Sequence, residues 1–162
     1  MIDYVIREIE PSEIHLLGDF LYEAIFQRDD NNLLSRDVLK EPEMSVYIDG
    51  FGKVDDLCLV AEHDGKLVGA VWTRILAGKV KGFGNVDNET PEFAISLYRE
   101  YRNRGIGTAL MKCMLQLLKS NGYKQASLAV QKDNYAVKMY EAVGFDKVTE
   151  LEQEYLMVCK LE

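Results

Sequence analysis

Pro91-Glu92-Phe93-Ala94-Ile95-Ser96-Leu97-Tyr98-Arg99-Glu100-Tyr101-Arg102-Asn103-Arg104-Gly105-Ile106-Gly107-Thr108 is the stretch on which the rest of the chain is organised. Phe93 to Tyr98 is a short apolar run that reads as a mostly buried strand, and Ile106, Ala109 or Leu110, Cys113, Leu117 and Leu118 then recur at helical spacing. A strand therefore feeds a helix. In the turn between them, Gly105 and Gly107 let the backbone bend sharply and leave no Cβ over its amide groups. The helix that follows has unpaired first N–H groups and a partial positive charge at that end, so the turn suits a phosphate group. Arg99, Arg102 and Arg104 add positive charge locally.

Glycines before a helix can also form a plain turn, so the spacing has to discriminate. No Gly-Lys-Ser/Thr follows, which excludes a Walker loop, and Gly105-x-Gly107 lacks the third glycine of a dinucleotide fingerprint. What remains, Arg-x-x-Gly-x-Gly opening a helix straight after a strand, resembles the coenzyme A pyrophosphate loop of the GNAT family of N-acetyltransferases. A second stretch, Asn134-Tyr135-Ala136-Val137-Lys138-Met139-Tyr140-Glu141-Ala142-Val143-Gly144-Phe145, resembles the same family's Asn-x-x-Ala-x-x-x-Tyr-x-x-x-Gly-Phe segment. Ala136, Tyr140 and Gly144-Phe145 keep the family's mutual spacing, while the step from Asn134 to Ala136 is one residue short. The resemblance covers residues 91 to 145.

Composition sets outer limits. With 162 residues, 48% of them hydrophobic, the chain fits a single domain over residues 1–162 with a real core. Lys plus Arg number 19 against 27 Asp plus Glu, and the net charge of -8 argues against nucleic acid as a partner. Cys58, Cys113 and Cys159 show no metal-ligand spacing and read as reduced core residues, so no metal is expected. Neither a basic start followed by an apolar core nor a run of 18 apolar residues occurs; a soluble, cytoplasmic chain with no membrane partner is expected.

In chain order, Tyr4 to Ile9 reads as a first strand, and Pro11-Ser12 opens a helix whose apolar face is Ile14, Leu17, Leu21 and Ile25. His15 sits beside that face as a partly exposed residue, and Gly18 suggests close packing. Gln27 to Asp56 is irregular, with Asp29-Asp30-Asn31-Asn32 and short helical pieces from Ser35 and Pro42; Phe26, Tyr47 and Phe51 there could line an acceptor pocket or simply pack. Leu57–Glu62 and Lys66–Leu76 are strands joined by a His63-Asp64-Gly65 hairpin turn, with Trp72 and Arg74 on one face, one of them directed toward the acceptor cleft. Gly78 to Thr90 is a loop, and Gly122 caps the organising helix. Ala126–Val130 is a strand, Asp133 or Asn134 caps a last helix, and Phe145–Val148 and Tyr155–Leu161 close the sheet. Pattern alone gives α/β or α+β. The resemblance implies a mixed-sheet, acyl-CoA N-acyltransferase fold of about seven strands and four helices.

The resemblance further implies acetyl transfer from acetyl-CoA, the co-substrate, to a primary amine by direct attack in a ternary complex. Donor binding falls on Ile95, Ser96 and Leu97, and on Arg102, Asn103, Arg104, Gly105, Ile106, Gly107 and Thr108, mainly through backbone groups. The strand is expected to splay from its parallel neighbour so that pantetheine pairs with it, with an amide near Leu97 polarising the acetyl carbonyl. Asn134 would hydrogen-bond the pantetheine arm or cap the helix. Tyr140 would protonate the leaving thiolate or serve as a core tyrosine. Many members carry their base at a position that here is Ala129, which leaves Glu92, acting through water and helped by Asp87 and Glu89, as the base, with Glu89 or water in reserve and a plain solvated carboxylate as the alternative for either residue. The acceptor is a small-molecule amine or a protein or peptide amine, and a homodimer is compatible with the family. Two other classes stay open: a non-catalytic coenzyme A binding sensor or scaffold module, and a purely structural domain.

Overall fold

The computed structural model describes residues 2–27 and 32–161, so Asp29, Asp30 and Asn31 of the irregular stretch lie outside the described residues. Seven strands, β1 (Val5–Glu8), β2 (Leu57–His63), β3 (Lys66–Arg74), β4 (Glu92–Leu97), β5 (Gln125–Gln131), β6 (Asp146–Glu150) and β7 (Glu154–Lys160), form one sheet in the order β1-β2-β3-β4-β5-β7-β6. Neighbours run antiparallel except β4 and β5. The β2–β3 hairpin turns as its sequence requires, with Asp64 at φ 51° and Gly65 at φ 76°. Helices α1 (Leu17–Ala24), α2 (Pro42–Ser45), α3 (Ile106–Ser120) and α4 (Ala136–Ala142) cover the sheet, with shorter 3-10 turns at Pro11–Leu16, Arg36–Lys40 and Arg99–Tyr101. The mixed sheet with four helices is the expected architecture.

Strand alternation divides the core in two. Leu59, Ala61, Val68, Val71 and Phe93 point to the α3 and α4 side, where they meet Ile106, Leu110, Met111, Met114, Leu118, Val137 and Phe145. Cys58, Val60, Ala70 and Trp72 point the other way, onto Leu17, Phe20 and Leu21 of α1 and onto Tyr47. Each fully buried aliphatic side chain of α3 contributes ~1.5–3 kcal/mol of transfer free energy, which anchors the helix firmly behind the glycine turn.

Three expectations are corrected. The buried stripe of α3 follows the row Ile106, Leu110, Met114, Leu118, flanked by Gly107 and Met111. Cys113 falls outside the opposite edge of that stripe and is exposed, whereas Cys58 and Cys159 are buried. A Cβ at Gly18 would meet nothing within 4 Å, so close packing does not explain that glycine. Neither Trp72 nor Arg74 serves the cleft described below. Trp72 Nε1 donates to the Tyr47 carbonyl at 3.0 Å; Arg74 pairs with Asp56 through Nε at 3.0 Å and through Nη2 at 3.1 Å, and its Nη1 donates to the Val46 and Asp49 carbonyls. Both side chains tie the segment after α2 to the sheet.

Candidate active site

The site begins with a defect in the sheet. Strands β4 and β5 share a single register pair, Glu92 with Ser127, and then part. Ser127 N–H donates to the Pro91 carbonyl at 3.0 Å, so the odd-numbered residues of β4 turn their backbone groups toward β5, while Tyr98 N–H donates to Val68 of β3. By the same alternation, the N–H and C=O of Ile95 and the N–H of Leu97 face the gap. An extended ligand arm could pair there as an additional strand.

A cleft of about 440 Å³ opens on this gap. Its β4 wall is Ile95, Ser96 and Leu97, its floor is the turn at Asn103, Gly105, Gly107 and Thr108, and Asn134, Ala136, Met139 and Tyr140 form the far side. The turn has the left-handed geometry its residues permit: Asn103 has φ 61°, and Gly105, the N-cap of α3, has φ 84°. A Cβ at Gly107 would already stand 3.3 Å from Leu97 Cδ1 and 3.5 Å from Met139 Sδ, so glycine keeps the helix entrance narrow but open. Arg102 lines the cleft, yet its Nε donates to the Leu97 carbonyl at 3.1 Å and its Nη2 reaches Glu23 Oε2 at 3.3 Å. It thus binds the end of β4 to the end of α1. Arg104 is exposed outside the cleft wall, and Ile106 points into the core.

Tyr140 is buried in the cleft wall, its ring edge-on to Phe145 at 6.2 Å, and no described residue hydrogen-bonds its oxygen. Burial pushes the phenol above its ordinary range, so it holds its proton at neutral pH. Asn134 Oδ1 accepts from Ala136 N–H at 2.9 Å: the side chain caps α4 while standing at the cleft.

Glu92 lies at the other end of β4, 3% exposed, on the face covered by α1 and α2. Its Oε2 accepts from the Tyr47 hydroxyl and, at 3.0 Å, from Gly84 N–H, and its Oε1 has no partner. Burial raises its pKa to about 7; the two hydrogen bonds oppose the rise and the charge of Glu154 adds to it. The acidic neighbour is therefore Glu154, not the expected Asp87 and Glu89. Asp87 is occupied in its own loop, accepting from Glu89 N–H at 2.8 Å and Thr90 Oγ1 at 2.7 Å, and Glu89 is exposed.

Some wall residues were not read from the sequence. Tyr22, Glu23, Ala24, Ile25, Gln27 and Leu33 close the cleft from the α1 side, with Phe26, which had been named for an acceptor pocket. Tyr47 instead faces Glu92, and Phe51 packs under Arg74 at 5.5 Å. The hydrophobic period of α1 showed which face is buried, but not that its C-terminal end would border a gap opened between strands seventy residues later. Among the described residues no group of three or more His, Cys, Asp or Glu side chains could hold a metal ion, and no helix is long and apolar enough to cross a membrane.

Comparison with known proteins gives a consistent picture. The sequence profile described as "Acetyltransferase (GNAT) family" matches residues 22–145. A probable N-acetyltransferase of Xenopus laevis, camello, is 34% identical over 95 residues, covering 57% of this chain and 40% of that protein. The mycothiol acetyltransferase of Thermobispora bispora is 35% identical over 91 residues, 56% of this chain and 30% of its own. This chain therefore spans well under half the length of those two relatives. An N-alpha-acetyltransferase of Sulfurisphaera tokodaii is 27% identical over 113 residues, 67% of this chain and 68% of that one. Among solved structures, the PaiA N-acetyltransferase of Thermoplasma acidophilum in complex with coenzyme A superimposes with a TM-score of 0.71 at 19% identity, covering 98% of this chain and 99% of that one. A Streptococcus pneumoniae acetyltransferase gives 0.67 at 22% identity, covering 99% and 100%. At such identities the likeness speaks for the fold.

Proposed function

Because the chain belongs to the Acetyltransferase (GNAT) family, we propose that it transfers the acetyl group of acetyl-CoA directly to a primary amine held beside the split between β4 and β5. The observation that carries this reading is the split itself: one register pair, then open backbone leading to a glycine turn at a helix start. The residues fit the co-substrate. Gly105, Gly107 and Thr108, at the start of α3, would receive the pyrophosphate on backbone N–H groups, and Ile95 and Leu97 would pair with the pantetheine arm. Asn134 keeps its place at the arm while capping α4. The seven strands form one sheet, which supports reading residues 1–162 as one N-acetyltransferase domain.

Acetyl-CoA supplies an activated acyl group, and four tasks fall to the chain. The Leu97 N–H, aimed into the gap, stabilises negative charge developing on the carbonyl oxygen. Glu92, with a pKa of about 7, accepts through water one proton from the acceptor ammonium near neutral pH, which leaves the neutral amine that attacks the thioester. Tyr140, protonated, donates to the sulfur as the C–S bond breaks, and the nitrogen, now bonded to the acetyl carbon, loses its second proton to solvent. Exchange with solvent then returns a proton to Tyr140 and removes the one on Glu92. Binding along β4 holds the thioester in line with the amine.

Relatives named for mycothiol, a small molecule, and for N-alpha positions leave the acceptor to be found by assay. Thiol release from acetyl-CoA, followed over a panel of small amines, polyamines and peptide N-termini, tests the proposal. Amine-dependent release is expected with at least one class. Calorimetric binding of acetyl-CoA without release by any acceptor would favour a sensor or scaffold module, and no binding at all would leave only a structural domain.

A further inference from the structure

Glu92 is more tightly built in than a plain buried acid would need. The Tyr47 hydroxyl donates to its Oε2 and accepts from Phe83 N–H at 2.9 Å, and the next N–H in chain order, that of Gly84, also donates to Oε2 at 3.0 Å. Phe83 stacks on the Tyr47 ring with centroids 6.4 Å apart and is 48% exposed, so the Gly82-Phe83-Gly84 turn forms a thin cover over the carboxylate. Both glycines are required by contact. A Cβ at Gly82 would overlap Glu92 Oε1, and one at Gly84 would stand 2.7 Å from the Leu128 carbonyl carbon of β5. Glu92 Oε1 has no hydrogen bond, and neither has the buried hydroxyl of Ser127, the register partner of Glu92 on β5.

We propose that Tyr47 is the positioning residue of the acetyl-transfer site: together with the Gly84 N–H it occupies Oε2 of Glu92 and leaves Oε1 as the oxygen that takes the proton from the acceptor amine. This rests on the reading of Glu92 as the base. A purely structural role for the phenol is poorly matched to the contacts. The segment around Tyr47 is already held through backbone atoms, by Trp72 on the Tyr47 carbonyl and by Arg74 on the Val46 and Asp49 carbonyls, and those bonds do not involve the hydroxyl. The charged groups around Glu92 leave the phenol as its one side-chain donor. Glu154 of β7 repels the carboxylate, and Arg74, its register partner on β3, is taken up by Asp56. Burial and the Glu92 charge push the Tyr47 phenol itself far up, so it remains a donor throughout the working pH range.

Tyr47→Phe keeps the ring and removes the donor. A hydrogen bond to a charged group that is lost on one side of a titration moves that titration by about one pH unit. The acidic limb of kcat/KM should therefore move up by about one unit in Tyr47→Phe, a roughly tenfold loss of rate on that limb, with Tm held within a few degrees. Glu92→Gln is run beside it and should abolish the limb. A Tyr47→Phe profile that superimposes on the wild type, while Glu92→Gln removes the limb, overturns the positioning role and leaves Glu92 as base. A limb that survives Glu92→Gln overturns both. If Tyr47→Phe does not fold, 3-fluorotyrosine placed at position 47 decides: the more acidic phenol donates more strongly to Oε2, so the acidic limb should move to lower pH, and an unmoved limb contradicts the positioning role.

Discussion

At its C-terminal end β4 presents the backbone of Ile95 and Leu97 to an open gap, whereas at its N-terminal end the same strand is paired with Ser127 and carries Glu92 into a closed pocket. The gap, which the proposed mechanism assigns to the donor, offers main-chain groups and small residues. Its requirements are that β5 stay away and that Gly105 and Gly107 let a ligand approach. The other end, which the proposed mechanism assigns to the acceptor, is built from side chains on four separate pieces of chain: Tyr47, the Gly82–Gly84 turn, Glu92 and Glu154. A strand that is half in the sheet and half out thus joins a gap lined by backbone groups to a buried carboxylate held by Tyr47 and the Gly84 N–H.

That contrast is sharpest at Tyr140, the one side chain at the donor end given a chemical role. Tyr140→Phe keeps the ring against Phe145 and removes the proton donor, so thiol release should fall by ~10²- to 10⁴-fold while Tm and acetyl-CoA affinity stay close to wild type. Full activity in Tyr140→Phe would make the donor end entirely a backbone device and leave protonation of sulfur to solvent.

Smaller effects are expected at Glu92. With a pKa of about 7, wild-type kcat/KM should fall about tenfold for each pH unit below that value, and Glu92→Gln should lose this dependence. Stability runs in the opposite sense. The folded pKa of Glu92 lies above its ordinary value of 4.5, so its protonated form favours folding; this contribution is complete below pH 4.5 and is lost as pH rises through about 7. At pH 8 the buried carboxylate costs ~3 kcal/mol relative to pH 4, and Glu92→Gln should gain in Tm over the wild type as pH is raised from 5 to 8. A Tm difference that does not change over that range would mean that Glu92 ionises as freely folded as unfolded.

The same division explains what could be read in the sequence. The strand-turn-helix from Glu92 to Ser120, the hairpin at Asp64-Gly65 and the second motif at Tyr140 are local, and their glycine and apolar spacing announces them. The Tyr47–Glu92 contact joins residues 45 apart and depends on which strand lies next to which, so composition gave Tyr47 only as an aromatic in an irregular stretch. Trp72 and Arg74 misled for a related reason: alternation shows that they share a face, but not that the segment after α2 covers that face. Asn134 Oδ1 is used at the start of α4, where it accepts from Ala136 N–H, and the residue also lines the cleft, so its contact with the pantetheine arm stays part of the proposal. Cys113 was misplaced because a helical stripe can follow the i+4 row rather than i+7, and only packing against the sheet selects between them.

In the proposed mechanism, binding of acetyl-CoA in the split of the sheet underlies every other step, and calorimetry on Gly107→Glu measures it most directly. The longer side chain would project from a position already 3.3 Å from Leu97 Cδ1, into the entrance that the phosphates must cross. Wild-type protein is expected to bind acetyl-CoA, and Gly107→Glu, with its melting transition intact, to show affinity reduced at least a hundredfold, as blocked approach and added negative charge at a helix N-terminus require. A folded Gly107→Glu protein that binds acetyl-CoA as tightly as the wild type would contradict the account and place the phosphates elsewhere.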